Sequence, residues 1–259
     1  VWAGGISEKA YRHLLSEKSG KPLTSRAING QFAPGSTFKV SSVAAMLRAG
    51  YPLNGKYSCP GSVMIGNRAF NGFRGQSLGT LTLHTALVKS CDTIFYKAAY
   101  EQYLKDGGRT PKKHVKEIFA NTARKFGFGE RTGVDLPGES PGRIPDRRWK
   151  KETWALTSAE NCKRAQTGYP EVKNAARAAF LKRLAHENCQ EGFILRPGDS
   201  ANFSIGQGDV LVTPLQLARA YQALAHDGKL RSPRIGWAQV RPDGKVARTI
   251  PVPVVGRLP

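Results

Sequence analysis

The sequence predicts an α/β fold, and three observations carry that prediction. Apolar residues recur at helical spacing in several polar-flanked segments. Glycine- and aromatic-rich stretches with short apolar runs lie between them. The end of the chain, from Arg234 on, alternates as strands do. In order, Val1 to Ile6 reads as a strand end running through a Gly-Gly turn, and Ser7 to Ser16 as a helix with Ser7 as its N-cap. Residues 21 to 35 are loop-like. Pro34-Gly35 then delivers the chain into a segment with Phe38, Val43, Met46 and Leu47 at roughly helical spacing. Tyr57 to Leu81 suggests irregular strands. Leu83 to Tyr103 is helical and contains Ser90-Cys91-Asp92, and residues 111 to 126 form another amphipathic helix. Gly127 to Arg148 is turn-rich, with DLPGESPGRIPD at its centre. Residues 155 to 195 are polar with two helices, the better one at Pro170 to Glu187. Pro214 then falls in the first turn of a strong helix, where its missing N–H costs little.

A chain of 259 residues can hide roughly three quarters of its unfolded surface. Its 40% hydrophobic and 23% charged residues are ordinary for a globular protein, which excludes disorder throughout. No window approaches the roughly 18 to 20 uninterrupted apolar residues that span a bilayer. The opening VWAGGISEKAYRHLL has neither an initiator Met nor a secretory signal, so the chain reads as an internal piece of something longer. Lys+Arg 40 against Asp+Glu 19 gives a net charge of +21. That excess fits either an anionic partner or a generally basic surface, and charge patterning alone cannot name a partner. The cations recur along the whole chain, with local density at Lys112, Lys113 and Lys116 and at Arg147, Arg148, Lys150 and Lys151. No zinc-finger spacing or RNA-binding aromatic signature interleaves with them, so no nucleic-acid partner is implied.

Cys59, Cys91, Cys162 and Cys189 form no CxxC pair, which argues against a structural zinc site. Cys162 and Cys189 bracket one polar stretch, where a disulfide would suit an extracytoplasmic protein. Two unrelated thiols are the other reading. The histidines, at 13, 84, 114, 186 and 226, show neither ligand spacing nor triad order. Gly206 and Gly208 belong to a GQG that is no phosphate-binding fingerprint, and suit tight turns. Trp149 and Trp154 read as loop anchors.

Ser36 and Lys39 carry the chemistry. Three residues apart at a helix start, they share one face, so the amine of Lys39 can reach the hydroxyl of Ser36. A serine needs a base to become a nucleophile, and a desolvated lysine with a lowered pKa can be that base. The helix start adds N–H groups and a positive dipole end beside a developing oxyanion. S-x-x-K alone is weak, with about one chance match expected in such a composition.

Its surroundings are more specific. GQFAPGSTFKV, SCDTIFY, DLPGESPGRIPD and SIGQGDVLVTPLQLA, in this order, resemble the transpeptidase domain of class B penicillin-binding proteins, closest to the elongation type. The resemblance runs over nearly the whole chain. It implies a serine transpeptidase and β-lactamase-like sandwich, with an antiparallel sheet flanked by helices and incomplete at both ends. The activity implied is a peptidoglycan cross-linking D,D-transpeptidase that also binds penicillin. Residues 1 to 259 would be a partial transpeptidase domain with an insertion at 155 to 195.

By the same resemblance Ser36 is the acylated serine, Lys39 the general base and Ser90 the proton relay to the leaving amine. Asp92 would hold Lys39 or the substrate backbone, and its carboxylate favours a charged Lys39, which opposes the base role. SIGQGDVLVTPLQLA would support the site without supplying a catalytic group. No metal or organic cofactor is implied. The partners implied are peptidoglycan stem peptides, β-lactams as inhibitors and a polytopic glycosyltransferase. The location implied is the extracytoplasmic face of the cell membrane, reached through an N-terminal anchor absent from this chain. Because the family works outside the cytoplasm, a Cys162–Cys189 disulfide is expected, with Cys91 reduced between two catalytic residues. The third family motif, K-T-G or K-S-G, falls beyond Pro259, so the chain alone is expected to be inactive. Two alternatives are a serine β-lactamase or β-lactam sensor, and a non-catalytic scaffold that binds an anionic polymer.

Overall fold

The computed structural model describes residues 5–259. The strand end read at Val1 to Ile6 therefore lies mostly outside the described residues. Nine helices follow in chain order among the described residues: α1 (Glu8–Leu15), α2 (Lys39–Arg48), α3 (Leu83–Val88), α4 (Asp92–Lys105), α5 (Ile118–Lys125), α6 (Arg147–Thr167), α7 (Ala175–Glu191), α8 (Pro197–Ser204) and α9 (Pro214–Ala225). The strands are β1 (Tyr57–Cys59), β2 (Ser62–Ile65), β3 (Arg68–Asn71), β4 (Gly79–Leu81), β5 (Lys229–Arg231), β6 (Ala238–Val240), β7 (Val246–Thr249) and β8 (Val254–Arg257). They pair in four antiparallel ladders, β1–β4, β2–β3, β5–β8 and β6–β7. Among the described residues no helix is long and apolar enough to cross a membrane.

The chain divides into two compact units. One comprises Val1–Pro34, Arg124–Arg143 and Leu211–Pro259; the other comprises Gly35–Ala123 and Ile144–Val210. In the first unit Ser7 caps α1 by accepting from Ala10 N, as its position before an apolar period predicts. Pro214 opens α9 behind Thr213, which forms a capping box with Gln216. Gln216 is fully buried, and its amide also donates to Glu130 O at 2.6 Å and Pro141 O at 2.7 Å. One helix start thus holds the DLPGESPG loop. Within that loop the Glu139 carboxylate accepts from Thr132 N, Thr132 Oγ1 and Gly133 N.

The second unit packs α2, α4 and α8 around Phe38, Met46, Phe95 and Phe203. Phe38 and Phe203 meet edge to face at 5.5 Å. Fully burying an aromatic of this size contributes about 1.5–3 kcal/mol. Ser42 Oγ donates to Ser204 O at 2.6 Å, which ties α2 to the end of α8. α6 and α7 form a helical hairpin closed by a Cys162–Cys189 disulfide, with Cα atoms 4.6 Å apart. Trp154 Nε1 donates to Asn188 O at 3.0 Å inside it, and its ring meets Phe193 at 5.2 Å.

Two expectations are corrected. The helix read at 111 to 126 starts only at Ile118. The Asp106 carboxylate takes the N–H groups of Lys116 and Glu117, and Glu117 sits at φ +40, so those residues cannot enter the helical ladder. Trp149 and Trp154 stand on α6 rather than in a loop, because Asp146 caps the helix by accepting from Trp149 N at 2.7 Å.

Candidate active site

Two short segments of the second unit meet at the start of α2. The first is a 3-10 turn, Gly35–Phe38, entered through Gly35 at φ +57, a conformation glycine adopts without a Cβ clash. Gly35 N donates to Gly206 O at 2.9 Å, so the GQG segment, whose Gly206 and Gly208 both turn at φ +68, braces the turn. Ser36 is exposed on it, while Lys39 is fully buried. The second segment is the break between α3 and α4. Ser90 N donates to Leu87 O at 3.1 Å and Cys91 N to Ala86 O at 2.9 Å. Ser90 itself stands at φ +53, in the left-handed region that non-glycine residues seldom occupy.

Lys39 Nζ points into that break. It donates to Ser90 O at 2.8 Å, Ser90 Oγ at 2.9 Å and Asp92 Oδ1 at 2.5 Å. Three ammonium protons therefore meet three acceptors. The Phe95 ring lies 5.4 Å from Nζ. Burial pushes the Lys39 pKa below the ordinary lysine value, and the Asp92 carboxylate works against that shift. Ser90 Oγ in turn donates to Ser36 Oγ at 2.9 Å. The four residues singled out in the sequence, Ser36, Lys39, Ser90 and Asp92, are thus together. One connection differs from expectation. Lys39 does not bond Ser36 directly; it turns inward to the carbonyl and carboxylate of the break, and the hydroxyl of Ser90 stands between the two. Chemically this is an exposed serine hydroxyl hydrogen-bonded through a second hydroxyl to a desolvated amine, an arrangement able to support nucleophilic catalysis.

The expectation of a reduced Cys91 is overturned. Cys91 is joined to Cys59 at the end of β1, and both are 2–3% exposed. Thr93 Oγ1 lies 3.4 Å from Cys91 Sγ and donates to Pro60 O at 3.0 Å. Sequence reasoning missed Cys59 and Thr93 at this site. The available signal was an even number of cysteines in a chain read as extracytoplasmic. The Cys162–Cys189 bond belongs to the helical hairpin and not to this cluster. Among the described residues no group of three His, Cys, Asp or Glu side chains is placed to hold a metal ion.

The family described as penicillin binding protein transpeptidase domain matches residues 6–254. The peptidoglycan D,D-transpeptidase MrdA of Haemophilus influenzae is 28% identical over 238 residues, covering 91% of this chain and 29% of that protein. MrdA of Escherichia coli K12 is 27% identical over 252 residues, covering 95% of this chain and 31% of that protein. The chain therefore spans about a third of the length of these relatives. A solved complex between a Helicobacter pylori penicillin-binding protein and MreC superposes with a TM-score of 0.65 at 25% identity, covering 96% of this chain and 36% of that one. A Pseudomonas aeruginosa penicillin-binding protein gives 0.64 at 26% identity, covering 96% and 46%.

Proposed function

We propose, from the premise that the chain belongs to the penicillin-binding protein transpeptidase domain family, that it is the acylating part of a peptidoglycan D,D-transpeptidase. The observation that carries this reading is the hydroxyl chain from Ser36 through Ser90 to the buried Lys39. Ser36 is the nucleophile, Lys39 the base, Ser90 the relay and Asp92 the group that holds Lys39 in place.

Neutral Lys39 starts the reaction. Hydroxyl hydrogens rotate, so Ser90 can accept from Ser36 and donate to the amine. Ser36 Oγ then attacks the carbonyl of the penultimate D-Ala of a stem peptide, and its proton moves through Ser90 to Lys39. The same path returns a proton to the departing D-Ala amine. An amine of a second stem peptide then attacks the ester carbonyl, the bond to Ser36 Oγ breaks, and the amine's proton returns through Lys39 and Ser90 to Ser36 Oγ, leaving the amide cross-link. A β-lactam acylates the same oxygen, and its ring-opened amine cannot leave.

The relatives' names support the substrate class. The MreC complex and a solved peptidoglycan synthase complex support assembly partners, and a polytopic glycosyltransferase is the partner we propose. The location proposed is the extracytoplasmic face of the cell membrane. We further propose that residues 1–259 are part of one transpeptidase domain and that residues 155–195 are an insertion. That stretch holds most of α6 and all of α7.

The test uses the full-length protein with a synthetic stem peptide ending in D-Ala-D-Ala. Release of D-Ala, with a peptidyl ester mapped to Ser36, is the expected result. A penicillin adduct that hydrolyses within seconds would favour the β-lactamase alternative. Unchanged function after Ser36→Ala would favour the scaffold.

A further inference from the structure

We infer that the Cys59–Cys91 disulfide is a positioning device for the acylation site: it locks Ser90 in its left-handed backbone conformation and so keeps Ser90 and Asp92 on Lys39. The inference rests on the roles proposed above for Ser36, Lys39 and Ser90.

Ser90 needs such a lock. Its φ of +53 is a conformation that only glycine visits at little cost, and a serine stays there only where its surroundings over-determine the backbone. Yet all three acceptors of Lys39 depend on it. Two are Ser90's own carbonyl and hydroxyl, and the third is the carboxylate two residues on. The hydroxyl also reaches Ser36. A relaxation of this one residue toward an ordinary φ would remove both the relay and the clamp on the ammonium.

The break is closed locally by two backbone bonds, Ser90 N to Leu87 O and Cys91 N to Ala86 O. Both run back into α3, so α3 and the break can move together. The sulfur bridge is different because it anchors the break to a separate element. Cys59 ends β1, where it pairs with Gly79 of β4, and its carbonyl accepts from Leu78 N at 2.9 Å. Thr93 adds a parallel tie by donating to Pro60 O at 3.0 Å. The residue between relay and carboxylate is thus fixed to a strand, and both sulfurs lie in the core. Asp92 is the charged group that faces Lys39, and the Phe95 ring is its other neighbour on α4. Freeing the break exposes the amine to water, which raises its titration, and draws the Asp92 carboxylate away, which lowers it; burial is the larger of the two effects, and no new charge comes up.

The experiment has two readouts on the full-length protein. One is the pH titration of the Lys39 ε-carbon NMR signal, assigned with Lys39→Arg. The other is the rate of acylation by benzylpenicillin. The variants are the Cys59→Ala/Cys91→Ala pair, Cys59→Ser as a milder opening of the same bond, and Cys162→Ala/Cys189→Ala as control. With Cys59–Cys91 opened, the Lys39 titration should rise toward the ordinary lysine range and acylation should slow about tenfold, the factor matching the backbone penalty of a left-handed serine. The control pair should move neither readout. A folded variant lacking the Cys59–Cys91 bond, with the Lys39 titration and the acylation rate both unchanged, overturns the inference. If the titration moves while no form of the protein is acylated, the positioning role stands and the transpeptidase reading falls.

Discussion

Ser90 Oγ lies 2.9 Å from Ser36 Oγ and 2.9 Å from Lys39 Nζ, so one hydroxyl joins the exposed serine to the fully buried lysine. In the mechanism proposed above, proton transfer between nucleophile and base passes through that oxygen. Ser90→Ala should therefore slow β-lactam acylation by on the order of 10² to 10⁴, the usual weight of a positioned proton carrier. Lys39→Ala should abolish it. Stopped-flow acylation rates check both, and a Ser90→Ala protein acylated at the wild-type rate would contradict the relay.

On the roles proposed above, Asp92 tunes the pH at which Lys39 becomes a base. Its carboxylate raises the Lys39 pKa against the lowering effect of burial. In the proposed mechanism the neutral amine is the reactive form, so acylation should increase with pH through the Lys39 titration, which lies below the ordinary lysine range. Asp92→Asn removes the opposing charge, and the rising limb of the profile should move to lower pH. A limb that stays in place or moves upward would show that Asp92 does not govern Lys39.

Gln216 predicts a stability effect with no role in the chemistry. It is fully buried, and its amide serves Thr213 N, Glu130 O and Pro141 O. Gln216→Ala leaves those groups unpaired, each at about 1–3 kcal/mol. We expect a loss of several kcal/mol in urea unfolding, with the acylation rate of the folded protein unchanged.

The Cys162–Cys189 bond spans 27 residues of the α6–α7 hairpin. In the chain-entropy model a loop of that length contributes about 3–4 kcal/mol. Replacing both cysteines by alanine should lower the unfolding midpoint of the hairpin. Hydrogen exchange along α6 and α7 would report it.

The legible parts of the fold were those with local chemistry. Ser7 before an apolar period, and Pro214 in the first turn of a strong helix, announce helix starts. Ser36, Lys39, Ser90 and Asp92 were legible because the strings around them are specific in order. The break before Ile118 was not, because it depends on the Asp106 carboxylate ten residues upstream, and periodicity does not register side-chain capture of backbone N–H groups. The helix under Trp149 has its cap, Asp146, in plain view in PDRRWK, and that signal outweighs the loop reading. The pairing of Cys59 with Cys91 was illegible for a different reason. Four cysteines allow three connectivities, and a motif that suggests a free thiol cannot show that β1 passes beside it.

The most direct test of the central claim is where a β-lactam goes. Full-length protein incubated with benzylpenicillin should gain one adduct by intact mass, peptide mapping should place it on Ser36, and Ser36→Ala should gain none. An adduct on another residue with Ser36 free, or no adduct on folded protein, would contradict the account.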